Sequence, residues 1–323
     1  MHVPIWIWAA TVVGLLILIA VDFLVGRKPH EVSLREAAWW GVFWVAAAAL
    51  FGAGLWWLRD GESASAFFAG YVTEKSLSVD NLFVFVLIMT RFAVPTILRQ
   101  RVLLIGVLLA LVLRTIFIAL GAAVVASFTW VFFIFGAVLV VTAWKLVSGG
   151  AEGEGEFKEN AVLRRVRRSV PSTDDYRGTR LWVHENGRRL ITPLFVVIVA
   201  IGTTDVLFAL DSIPAIFGLT KDPYIVFTAN AFALMGLRQL YFLIGGLLDR
   251  LVYLTYGLAA ILGFIGVKLF LEALPSVGVH PPHISTALSL AVIGGVLAIT
   301  TVASLTIGRR RAGAHAKEHA SAP

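Results

Sequence analysis

Cysteine is absent from all 323 residues, which excludes disulfides and removes the thiolate sites of zinc, copper(I) and iron–sulfur clusters. Charge is scarce too: Asp, Glu, Lys and Arg make up 15% of the chain, against about 25% in soluble domains. Histidine is missing from every long apolar run, all seven lying in connecting segments or near the termini. The formal charge of +7 is not a nucleic-acid footprint. Its Arg and Lys residues gather beside the ends of apolar runs, where they set membrane topology.

What remains is hydrophobic, at 59% of residues, in runs of twenty or so rather than at helical spacing. That pattern is an all-α polytopic membrane protein embedded in a lipid bilayer. Nine spans are expected, at roughly 5–25, 37–58, 66–90, 102–126, 130–147, 193–219, 223–246, 252–272 and 286–307. They divide the chain into a first membrane block (1–147), a basic loop (148–192), a second block (193–307) and a tail (308–323).

The first run has no basic residue before it and Arg27 and Lys28 after it, the reverse of a secretory signal, so a retained helix is expected. Arg91, Arg99, Arg101, loop 148–192 and Arg309-Arg310-Arg311 place alternate loops inside. The N-terminus is then outside and the C-terminus inside. Gly149–Gly155 reads as a flexible linker, and Asn186-Gly187 as a turn. The Arg164–Arg168 cluster reads as a solvated face; His315 and His319, in a terminal tail of small residues, are weak metal ligands. Lys145 and Lys268, near span ends, are expected to snorkel to headgroups.

Two acidic stretches interrupt the apolar spans. The first, Glu74-Lys75-Ser76-Leu77-Ser78-Val79-Asp80-Asn81, and the second, Thr204-Asp205-Val206-Leu207-Phe208-Ala209-Leu210-Asp211, each set two carboxylates six residues apart. An Asp at the centre of a membrane helix costs roughly 2.5–3.5 kcal/mol on insertion scales, so such acids carry a function by default.

The likeness between the stretches continues downstream. Asp80 precedes Arg114 by 34 residues and Asp205 precedes Arg238 by 33, while Lys145 and Lys268 follow those arginines at 31 and 30. Spans 3–5 and 6–8 thus read as two copies of a three-helix unit crossing the bilayer in opposite senses, an inverted repeat typical of transporters.

Six helical residues rise about 9 Å and turn side chains about 120° apart. Asp80 and Asp205 are therefore expected to share one level and Glu74 and Asp211 a second. For all four to face one pathway, the helices must break, and breaks are expected near 76–79 and 211–215, where Pro214 removes a backbone donor.

The candidate ligands are Glu74, Asp80, Asn81, Asp205 and Asp211, with Asp22, Thr204 and Asn230 as additional positions. An oxygen-only set suits hard or borderline divalent cations such as Mn²⁺, Mg²⁺ or Ca²⁺. Arg114 and Arg238 balance the charge and brace the helices, and Asp22 serves either as an interfacial cap or at a mouth. His280-Pro281-Pro282-His283 reads as a rigid loop. No nucleophile–base pair stands out, so no enzyme and no organic cofactor are expected.

At these residues the chain resembles the TerC family of integral membrane proteins, named for tellurium resistance. The resemblance rests on both acidic stretches, Arg91-Phe92-Ala93-Val94-Pro95, Leu113-Arg114, Thr192-Pro193-Leu194-Phe195, Ser212-Ile213-Pro214-Ala215-Ile216-Phe217, Asn230 and Leu237-Arg238. It implies a bacterial inner-membrane protein of a transporter superfamily that exports cations and amino acids, with manganese export the expected activity. It also implies metal-site roles for Glu74, Asp80, Asp205 and Asp211. Gly202 departs from the family pattern, which has Glu three residues before the second motif's first Asp.

The expectation is a divalent-cation exporter working by alternating access, with Mn²⁺ as transported substrate and coupling to protons open. Two alternatives stand beside it: a membrane scaffold that presents metal to exported metalloenzyme clients, and an amino-acid exporter.

Overall fold

A computed structural model describes residues 3–25, 33–148, 163–165, 173, 175–185, 188–244, 253–279, 281 and 284–320. The linker expected at 149–155, the Asn186-Gly187 turn, and His280 and His283 lie outside them, as do the side chains of His315 and His319.

The described elements run α1 (Ile5–Val25), α2 (Leu34–Leu58), α3 (Gly61–Arg91), α4 (Thr96–Ser127), α5 (Val131–Ser148), β1 (Trp182–Glu185), β2 (Arg188–Ile191), α6 (Pro193–Phe217), α7 (Pro223–Leu234), α8 (Leu237–Ile244), α9 (Leu254–Ala273) and α10 (Thr286–Ala320). The helices start where local chemistry favours it. Ser33 accepts from the Glu36 N–H, Asp60 from the Ser63 N–H, and Asp222 from the Tyr224 N–H. Pro193 and Pro223 occupy first-turn positions, where their missing N–H costs nothing.

Among the described residues, eight helical stretches are long and apolar enough to cross a membrane, α7 and α8 counting together as one. The third expected span, α3, has 31 residues but is not among them. It carries Glu62, Glu74, Lys75, Asp80 and Arg91, and it lies in the middle of the bundle against α2, α6, α7 and α10. Large apolar side chains such as Trp39, Trp57, Leu50 and Trp144 project outward, as lipid-facing residues do.

The two membrane blocks interleave. α3 packs on α7, α4 on α6, and α5 on α9. The last crossing is close because it is built on glycine: a Cβ at Gly136 would come within 2.9 Å of the Gly266 carbonyl oxygen.

The breaks expected near 76–79 and 211–215 are not there. α3 runs unbroken through Ser76 and Ser78, the Ser76 hydroxyl donating to the Val72 carbonyl. α6 also runs through Pro214, which sits in its last turn and costs only one late hydrogen bond. The break lies instead in the seventh expected span, between α7 and α8. There Met235 leaves the helix and Gly236 takes φ +78°, with Trp44 packed over it.

The basic loop contributes an antiparallel hairpin, β1–β2, in the register Glu185↔Arg188. His184 and Glu185 are thus on a strand. At this end of the bundle the Tyr176 hydroxyl donates to the Phe92 carbonyl. The opposite end gathers Arg59, Asp222 and Glu272.

Candidate cation site around Arg114

Residues four and seven apart share one face of a helix. On α3 that stripe is Glu74, Ser78 and Asn81; on α6 it is Asp205, Ala209 and Ser212. Arg114 of α4 stands between the two stripes and is fully buried. A buried guanidinium has no water to satisfy it, and here protein oxygens do so.

Its Nε and Nη2 donate to the two oxygens of Asp205 at 3.1 and 2.9 Å, a bidentate pair. Nη1 donates to the Ser212 hydroxyl at 3.3 Å and forms an ion pair with Glu74. With its side chain turned so that Nδ2 donates to the Leu77 carbonyl, Asn81 accepts from Nη2 at 3.2 Å. Glu74 and Asp205, expected on different levels, therefore meet on one guanidinium. Each is almost wholly buried, and they come from opposite halves of the chain.

The cluster is under-satisfied. Neither oxygen of Glu74 receives a well-directed hydrogen bond, and the Ser78 hydroxyl and the Thr73 hydroxyl are buried without a partner. Asn230 on α7 is 1% exposed, with neither amide atom hydrogen-bonded. Buried polar atoms are ordinarily paired, so the unpartnered oxygens of Glu74, and of Ser78 on the same face of α3, are exceptional.

The remaining expected residues each have their own place on α3 or α6. Asp211 is half-buried on α6, one residue before Ser212. Thr204 spends its hydroxyl on the Ala200 carbonyl of its own helix. Asp80 is on α3, its side chain outside the described residues. Among the described residues, no three carboxylates or histidines converge to hold an ion by themselves. The oxygens that do converge are those around Arg114.

The second arginine behaves differently. Arg238 donates to Asp22 of α1 at 2.7 Å, and Gln239 donates to the same carboxylate oxygen at 3.0 Å. Asp22 thus braces α8 through Arg238 and Gln239.

Two lysines were misjudged from sequence. Lys268 does not snorkel: it is 3% exposed, donates to the Ser289 hydroxyl at 3.2 Å and lies 4.0 Å from Glu272. Lys75, to which the sequence reading assigns no role, donates its Nζ to the carbonyls of Ala233 and Met235, capping the broken helix. The signal for Lys75 was available, since an ammonium inside an apolar span must find acceptors.

A cavity of about 750 Å³ opens at the Arg59 end, lined by Arg59, Asp60, Lys221, Asp222, Lys268 and Glu272. Ion pairs cross it from Arg59 to Asp222 at 2.6 Å and from Lys221 to Glu272 at 3.4 Å. The Ser63 N–H holds the Asp60 carboxyl below its ordinary value.

Comparison with known proteins agrees with this architecture. The profile of the integral membrane protein TerC family matches residues 59–312. An uncharacterized membrane protein of Mycobacterium tuberculosis is 47% identical over 319 residues, covering 95% of this chain and 80% of that protein. One from Myxococcus xanthus is 42% identical over 304 residues, covering 94% and 93%. A protein of Escherichia coli named "Putative membrane-bound redox modulator Alx" is 40% identical over 314 residues, covering 94% and 95%. No solved structure matches. The chain belongs to the TerC family of integral membrane proteins.

Proposed function

We propose that this protein carries a divalent cation, Mn²⁺ foremost, out of a bacterial cell across the inner membrane. One observation carries the reading. Glu74 and Asp205, one from each half of the chain, converge with Asn81 and Ser212 in the buried centre of a membrane bundle. Carboxylate, amide and hydroxyl oxygens are the donors that hard and borderline divalent ions take, and no thiol or imidazole competes there.

The transport route follows from the packing. α3 crosses the membrane as the third of nine spans, with the N-terminus outside and the C-terminus inside. Spans 3–5 and 6–8 form an inverted repeat. The exchange-symmetric contacts support this: the first helix of each unit packs on the second of the other, and the third packs on the third. Rocking of one unit against the other would expose the centre to each side in turn, and the cavity at the Arg59 end is the outer mouth. Asp80 and Asp211 extend the pathway on either side of the centre.

The name of the Escherichia coli relative points to redox modulation. This chain has no cysteine and cannot exchange dithiols, so a redox effect would reach it through supply of a metal to other enzymes. A scaffold presenting metal to exported clients would use the same oxygens.

Flux of Mn²⁺ into proteoliposomes of the purified protein, against Mg²⁺, Ca²⁺ and Zn²⁺ and with Asp205→Asn as control, tests the reading. Saturable Mn²⁺ flux lost in the variant supports it. Mn²⁺ binding with no flux of any ion replaces it with the scaffold.

A further inference from the structure

We infer that Arg114 is a tethered counter-cation that competes with the transported ion for Glu74 and Asp205, and that the ion binds only as the guanidinium withdraws towards Asp211. The inference rests on the proposed cation transport and concerns the same site.

The geometry makes the two cations mutually exclusive. Asp205 presents both its oxygens to Arg114, Asn81 presents its amide oxygen and Ser212 its hydroxyl, while Glu74 is ion-paired to Nη1. A divalent ion needs the same lone pairs at about 2.0–2.6 Å. It would then stand against a guanidinium with no water between them, where like charges repel strongly.

A second seat for the guanidinium is at hand. Nη1 already donates to Ser212, and Asp211 is the residue immediately before it on α6. Moving there would keep Arg114 paired while freeing Glu74 and Asp205. When the ion leaves, the guanidinium returns, and two buried acids are never left without a cation. A carrier with such an internal cation can reorient without cargo.

The test is calorimetric titration of MnCl₂ into the full-length protein in detergent at pH 8, for wild type, Arg114→Gln, Asp211→Asn and the double variant, with thermal midpoints measured without metal. Arg114→Gln is expected to bind Mn²⁺ at least tenfold more tightly than wild type and to melt lower in its absence. Asp211→Asn is expected to weaken Mn²⁺ binding at least threefold in wild type and to leave it unchanged in the Arg114→Gln background. Unchanged or weaker binding by Arg114→Gln overturns the competition. Equal weakening by Asp211→Asn in both backgrounds makes Asp211 a ligand and removes the second seat. If neither wild type nor Arg114→Gln binds Mn²⁺, the transport reading itself falls, and this inference with it. Should Arg114→Gln not yield folded protein, Arg114→Lys carries the test. Its compact ammonium lacks the fork that grips both oxygens of Asp205, so intermediate affinity is expected and wild-type affinity overturns the competition.

Discussion

The Nζ of Lys75 lies 3.0 Å from the carbonyl oxygen of Met235, at the point where α7 ends and α8 has not begun. The last carbonyls of any helix lack intrahelical donors, and in a membrane bundle water does not reach them. The ammonium satisfies two, at Met235 and at Ala233. It holds α3 to the break as a pin.

Lys75→Met should therefore lower stability by about 2–4 kcal/mol, since hydrogen bonds to a charged donor are worth about 1.5–3 kcal/mol each and some of that is recovered on relaxation. Thermal unfolding in micelles reads the effect. Lys75→Arg should keep part of it. A loss below about 0.5 kcal/mol would mean that the carbonyls find other donors.

Asp22 and Arg238 tie α1 to α8, the arginine 5% exposed and Gln239 sharing the same carboxylate oxygen. Removing one partner of a buried pair strands the other charge, at about 3–5 kcal/mol in soluble proteins. Asp22→Asn should destabilise by somewhat less, because the amide oxygen still accepts. The double variant Asp22→Asn/Arg238→Met should recover part of the loss. Strictly additive losses would show that the pair is not coupled.

Much of this was readable before any coordinates. Spans follow from apolar length, and an arginine inside an apolar run must find acids, so the bracing role of Arg114 was legible. Its partners were less so. Intervals in sequence put Asp80 and Asp205 on one level, but a guanidinium reaches across levels, and it gathered Glu74 and Asp205. The repeat gave no hint that Arg238 would turn to Asp22 on α1, outside both units. Pro214 misled because it falls in the last turn of α6, where it costs a single hydrogen bond and leaves almost no helix beyond it to redirect. The true break, at Met235-Gly236, has no proline. Its cause is a tertiary one, Lys75 and Trp44 packed on it from other helices.

Gly236 and Gly278 separate two kinds of cost. Both have left-handed backbone, φ +78° and +83°, but a Cβ on Gly236 would meet Trp44 at 3.0 Å while one on Gly278 would meet nothing. Gly278→Ala should cost about 1–2 kcal/mol, the backbone penalty alone. Gly236→Ala should cost about 1–3 kcal/mol more for overpacking. Equal thermal shifts in the two variants would remove Trp44 as a constraint on the break.

Gly202 lies on α6 three residues before Asp205, and Leu109 of α4 fills the space beside it. A Cβ on Gly202 would overlap the Leu109 Cδ2 methyl. Helix propensity favours alanine over glycine by about 1 kcal/mol, whereas crowding costs about 1–3 kcal/mol, so the sign depends on whether Leu109 can move. The two helices are clamped just beyond by the Arg114–Asp205 pair, which limits any separation. Gly202→Ala should thus destabilise wild type. In a Leu109→Ala background it should be neutral or stabilising by up to about 1 kcal/mol. A double-mutant cycle on thermal stability should give a coupling of about 1–3 kcal/mol. By the same logic Gly202→Glu should be tolerated only alongside Leu109→Ala. A Gly202→Ala effect independent of residue 109 would place the constraint in the α6 backbone and not in Leu109.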